Sequence, residues 1–90
     1  MNRPQAERIV LGAMLMGRSQ PANPALHFRS DWHQEVRAAC VRASQVPGGC
    51  NIISVGRELA ERPKVHDDLL AMAREYAECG DVLAAIEVVV

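Results

Sequence analysis

Apolar residues recur along this chain at the three- and four-residue spacing of amphipathic helices, with Pro and Gly between the runs. The first run starts at Pro4, a favourable first-turn residue, and continues through Ala6, Ile9, Val10, Ala13 and Met14 to end near Gly17. Gly12 sits inside this run, where it costs roughly 1 kcal/mol relative to Ala, so a neighbouring helix is expected to approach closely there. Residues 18–29 contain Pro21 and Pro24 and read as a loop with at most one short helical turn. Ser30 or Asp31 is placed to cap a second helix, with Trp32, Val36, Ala39, Cys40 and Ala43 on one face and Arg37 and Arg42 pointing away. Pro47-Gly48-Gly49 ends it.

Asn51 is the predicted N-cap of a third helix that buries Ile52, Val55, Gly56, Leu59 and Ala60 and stops at Pro63. The β-branched stretch from Asn51 to Val55 also suits a strand. Spacing through Leu59 and the polar surface of Glu58, Glu61 and Arg62 favour a helix. A fourth helix is predicted from Val65 to Cys79, burying Leu69, Leu70, Met72, Ala73, Tyr76 and Ala77. Asp67 and Asp68 lie at its start, where the helix dipole favours acids. Gly80 then breaks the pattern, and Asp81 caps a last short helix reaching Val90. Residues 82–90 hold one charge in nine positions. The whole, residues 1–90, reads as one all-α domain, a single compact bundle of about five to six short helices.

Composition narrows this further. Of 90 residues 49% are hydrophobic, yet there is one Phe, one Trp and one Tyr, so the core must be built from small and aliphatic side chains. Such a core suits close helix packing better than a β-sandwich. The formal net charge is -1, without the basic excess expected of a nucleic-acid binder. Residues 1–45 carry six Arg and three acids, and residues 46–90 carry four bases and eight acids, a dipolar distribution able to steer a protein partner. Cys40, Cys50 and Cys79 cannot all pair within one chain. With neither a secretory signal nor a run of ~18 apolar residues, reduced thiols in a cytoplasmic protein are the expectation.

The chemistry-bearing residues form no catalytic motif. The only lysine, Lys64, precedes Val65, so no phosphate-cradling P-loop is present. His27, His33 and His66 have no metal-ligand spacing, and a zinc site would have to be assembled from dispersed Cys40, Cys50 and His residues. Cys50, after Gly48-Gly49, is the most exposed candidate nucleophile, with His33 or His66 as its base; a turn cysteine beside a helix start is the favoured reading. Asp67-Asp68 reads better as a helix-start charge cluster than as an acid–base pair. A helix-turn-helix reading of Asn51 to Arg62 is weakened because Glu58 and Glu61 counter Arg57 and Arg62. No enzyme activity, cofactor or metal is therefore expected.

Several of these segments, in this order, resemble the N-terminal domain of the DnaB-family replicative helicases. Ala6-Glu7, Val10-Leu11-Gly12 and Ala13-Met14-Leu15 match the family's first helix in register. Phe28 and His33 have the family's five-residue spacing into the second helix, with Val36 at the next apolar position. Asn51-Ile52-Ile53-Ser54-Val55 followed by Leu59 resembles its Ile-Thr-Val-like helix start, and Val82 to Val89 resembles the helix leading into its helical hairpin. The similarity spans roughly residues 4–90. It departs where His66-Asp67-Asp68 replaces the family's Gly-Gly, and where Arg37 stands at a position often large and apolar. The chain also ends before the hairpin, linker and ATPase domain, so neither the usual ring contacts nor helicase activity is expected of it.

The resemblance implies a non-catalytic collar-like domain that binds a replicative helicase, its loader or primase, and so interferes with replication, as suits a phage or mobile element. An excised N-terminal domain of a larger helicase and a small helical DNA-binding regulator are the alternatives. The apolar end, Val82, Ile86, Val89 and Val90, either packs on the core or forms a patch for a homodimer or another partner. Arg37 and Arg42 are the second candidate surface, since Arg is favoured at interfaces. Trp32 reads as a core anchor rather than a partner hot spot. Direct contact with nucleic acid or membrane is not expected.

Overall fold

The computed structural model describes residues 1–79 and 81–90; Gly80, the predicted helix breaker, lies outside the described residues. Five helices follow one another: α1 (Arg3–Leu15), α2 (Asp31–Ser44), α3 (Ile52–Glu58), α4 (Val65–Glu78) and α5 (Val82–Val89), with no strand among the described residues. The ambiguous stretch after Asn51 is helical. The domain measures 30 × 25 × 22 Å.

α1 is the centre, and α2, α4 and α5 pack around it while α3 bridges α2 and α4. Its burial exceeds the single stripe read from spacing: Leu11, Leu15, Gly12 and even Glu7 are buried beside Ala6, Ile9, Val10, Ala13 and Met14. A helix enclosed on several sides loses the polar face that a peripheral helix keeps. Asn2 caps α1 by accepting the Gln5 N–H at 2.9 Å. At the other end Gly17, at φ +74°, turns the chain left-handed. The Arg18 N–H then reaches the Ala13 carbonyl at 2.8 Å, which satisfies a carbonyl that the helix would leave free.

The close approach expected at Gly12 is present on α4. A Cβ built at Gly12 would lie 2.2 Å from the Met72 carbonyl oxygen and 2.7 Å from Tyr76 Cβ. The missing side chain thus lets the two helix backbones touch.

Local signals placed the starts of α3 and α5, but α3 ends at Glu58 rather than running to Pro63. Asn51 accepts the Ser54 N–H at 2.9 Å while Ser54 Oγ accepts the Asn51 N–H at 3.0 Å, a reciprocal cap. Asp81 accepts the Ala84 N–H at 3.0 Å. The predicted buried sets of α3 and α4 need correction. Only Val55 of α3 is fully buried, and Ala60, beyond its end, is exposed, because seven residues offer little more than one contact turn. On α4, Leu69, Met72 and Ala73 are buried, but Leu70 and Ala77 face solvent. The helix has one covered side, towards α1 and α3.

Candidate functional site

Two polar clusters, one buried and one partly exposed, tie the helices together. The first cluster is built on Glu7, whose side chain is only 2% exposed. The His33 Nδ1–H donates to Glu7 Oε1 at 2.9 Å. The N–H groups of Arg29 and Ser30 reach the same carboxylate at 3.1 and 3.4 Å, and Arg3 Nε lies 3.3 Å away. Burial alone would raise the Glu7 pKa, but the bonds from His33, Arg29 and Ser30 outweigh it and hold the carboxyl below its ordinary 4.5. Ser30 stands at the cap position of α2 yet makes no side-chain cap. Glu7 does not replace that cap, since it accepts from N–H groups that precede the helix, but it places a negative charge at the positive end of α2.

The second cluster is built on Asp68. Arg8 Nη2 lies 2.9 Å from Asp68 Oδ1, Arg8 Nε donates to Glu75 at 2.7 Å, and the Trp32 indole N–H donates to Asp68 Oδ2 at 2.6 Å. Desolvation opposes ionisation of Asp68, but Arg8 and Trp32 prevail and hold its pKa below the ordinary 3.8. Burial likewise opposes the Arg8 charge, and Asp68 and Glu75 raise its pKa despite it. Asp68 is therefore committed to a tie between α1, α2 and α4. Trp32 is half-buried, anchored by its N–H as well as by packing.

The predicted partner surfaces fare differently. Arg37 does not face away from the fold. Its guanidinium donates to the carbonyls of Pro21, Leu26 and Asn23 at 2.8, 3.1 and 2.7 Å and lies 5.8 Å from the Phe28 ring centroid. It buckles the 18–29 loop onto α2, because a segment with two prolines and little secondary structure has carbonyls in need of donors. Arg42 is exposed and ion-paired with Glu58 of α3. Val89 is fully buried, and Val82 and Ile86 are partly buried against the core, so these three belong to packing first. Val90 is 62% exposed, as is Leu83 at 73%, a residue that the sequence reading missed. The end of α5 is pinned by Arg3 Nη1 on the Val88 carbonyl at 2.6 Å and by the His27 N–H on the Val89 carbonyl at 3.0 Å.

A second missed feature is an apolar groove where the end of α1, the start of α3 and the first half of α4 meet. Leu15, Met16, Ile52, Ile53 and Leu70 line an open volume of about 440 Å³. It adjoins one of about 480 Å³ edged by Arg57, Arg62, Lys64 and Asp67, with Ile52, Ile53 and His66 common to both. Met16, Ile53 and Leu70 are 51%, 65% and 40% exposed. Their spacing gives no hint of this, since the three come from separate segments.

Cys50 lies in the turn before α3, in line with its favoured reading. Cys50 is half-buried, and its neighbour is the Cys40 thiol; His33 is turned to Glu7. A hydrogen bond from Cys40 lowers the Cys50 pKa, whereas Cys50 and burial together push Cys40 far up. Cys50 is therefore expected to react with iodoacetamide well before Cys40, with the order read by peptide mass spectrometry of partly alkylated native protein. Equal rates would contradict the burial of Cys40 beside a half-exposed Cys50. Among the described residues no group of three or more His, Cys, Asp or Glu side chains is arranged to hold a metal ion. Among the described residues no helix is long and apolar enough to cross a membrane. Comparison of the chain with protein-family models, curated proteins and solved structures gives no match.

Proposed function

We propose that this chain is a helicase-collar-like interaction domain that docks on a replicative helicase, its loader or primase and blocks productive assembly, without catalysing a reaction itself. The observation that carries this reading is where the resembling residues meet. Glu7 from the first matching segment grips His33 from the second, and the backbone between Phe28 and His33 closes on the same carboxylate. Gly12, in the matching Val10-Leu11-Gly12 step, is the seat of α4. Segments that resemble the family in sequence thus supply the ties that define the bundle, rather than lying scattered on its surface. The polar groups most favourable for chemistry, Glu7, His33 and Asp68, are consumed by those ties, which suits a binding module better than a catalyst.

The test is size-exclusion chromatography with light scattering, using the chain alone and mixed with the replicative helicase, loader and primase of its source, with unwinding followed in the same samples. Co-elution with one of them and reduced unwinding is the expected result. An inert chain that joins none of the three at tens of micromolar would remove the reading.

A further inference from the structure

The fold leaves two apolar surfaces uncovered, and their charges are opposite. One is the groove of Met16, Ile53 and Leu70. Of its edging cations, Arg62 is paired with Glu35, whereas Arg57 and Lys64 make no ion pair or side-chain hydrogen bond among the described residues. Among the described residues Asp67 is the one acid on that edge. The other surface is the outer side of α5, where Leu83, Glu87 and Val90 follow at i, i+4 and i+7 and all are exposed. From Glu78 to Val90 the chain carries Glu78, Asp81 and Glu87 and no basic residue.

We infer that the outer face of α5 of one copy docks in the α1/α3/α4 groove of a second copy, making a head-to-tail self-association. Leu83 and Val90 enter the apolar floor beside Ile53 and Leu70, and Glu87 meets Arg57 and Lys64 at the edge. A chain cannot fill its own groove. The end of α5 is held at the first turn of α1 by Arg3 and against the 18–29 loop by His27, whereas the groove opens at Leu15 and Met16, the other end of a helix about 20 Å long. A two-fold contact of groove on groove is disfavoured, because it sets the unpaired Arg57 and Lys64 of one copy against those of the other. Such a heterologous contact uses different patches on the two copies, so each added copy leaves a fresh groove and a fresh α5 face. The inference does not rest on the helicase reading: it needs only this chain.

The α5 face is short, so the contact falls below the standard size of a stable interface, and a dissociation constant on the order of 10⁻⁴ M is expected. Sedimentation velocity on the 90-residue chain, from ~5 µM to ~500 µM, should therefore show a weight-average mass that climbs with concentration and passes the dimer value. Ile53→Asp and Leu83→Asp change exposed side chains, and circular dichroism checks that both stay folded. Each variant alone is expected to remain monomeric. Mixed, they retain one good groove and one good α5 face, and should form a 1:1 dimer that grows no further. Arg57→Glu with Lys64→Glu should weaken association roughly tenfold, with recovery on mixing with Glu87→Arg. A wild-type monomer throughout the range overturns the proposal and leaves the groove to an acidic helix of another protein. A plateau at the dimer, or folded variants that do not complement each other, overturns it in favour of a two-fold contact.

Discussion

Replacing Gly12 by Ala is expected to destabilise the domain by about 3 kcal/mol, whereas the same change at Gly56 is expected to stabilise it by roughly 0.5 kcal/mol. At Gly12 the new methyl meets the Met72 carbonyl oxygen at 2.2 Å and the Met72 carbonyl carbon at 2.8 Å. Those are backbone atoms of α4, so no rotamer change relieves the clash, and α1 and α4 must separate along their contact. The intrinsic helix preference for Ala returns only about 1 kcal/mol of this. At Gly56, also helical, the nearest atom to a new Cβ is Leu69 Cδ1 at 3.9 Å, an ordinary contact. There the reduced freedom of the unfolded chain dominates. Urea denaturation of the two variants beside the wild type reads both signs. Small domains have total stabilities of about 5–15 kcal/mol, so the Gly12 variant should lose a large part of its folding range. Equal midpoints for the wild type and Gly12→Ala would mean that α1 and α4 are not in backbone contact.

Glu7→Ala should cost about 3–5 kcal/mol, the range for breaking a buried charged pair. The loss comes from the groups left behind: the His33 Nδ1–H and the N–H groups of Arg29 and Ser30, all now facing an apolar methyl. Glu7→Gln, which keeps one oxygen to accept from them, should cost less. The pH dependence follows from the same carboxylate. Both Glu7 and Asp68 have folded-state pKa values lowered from 4.5 and 3.8, so the fold prefers their ionised forms. Their contributions are fully present above those ordinary values and are lost as pH falls below them through the folded values. Unfolding free energy should thus decline below about pH 4.5, and the decline should be shallower in Glu7→Gln, where only the Asp68 share remains. Parallel acid profiles for wild type and Glu7→Gln would show that Glu7 titrates alike in the folded and unfolded chains.

The parts of this fold legible in the sequence were those decided within a few residues. Asn51 and Asp81 were recognisable as caps because their partners lie three residues on. Gly12 was informative because glycine inside an apolar helix needs a compensating neighbour, although the spacing did not say which helix. Ties between distant residues were not legible in the same way. Glu7 bonds His33 across 26 positions and Trp32 bonds Asp68 across 36, and periodicity does not say which polar groups will meet. A signal for Glu7 did exist, because it shares the stripe of Val10, Leu11 and Met14, where an acid must be paired to be buried. Arg37 was assigned to the surface by helical angle alone; the loop that folds back over it sets its real environment. Of the proposed binding surface, the apolar excess of α5 was visible, but its division between core and exterior was not. Ala85 and Val89 face inward, and Leu83 and Val90 outward. The groove was invisible because Met16, Ile53 and Leu70 are joined only by the packing of α1, α3 and α4.

In the function proposed above, this bundle binds a replication protein rather than nucleic acid. Titration calorimetry of the chain against the helicase, loader and primase of its source, and against duplex DNA, at low and high salt, tests it most directly. Saturable binding to one of these proteins that persists at high salt, with no binding to DNA, is the expected result. Binding to duplex DNA that collapses as salt rises, with no heat from any of the three proteins, would contradict it.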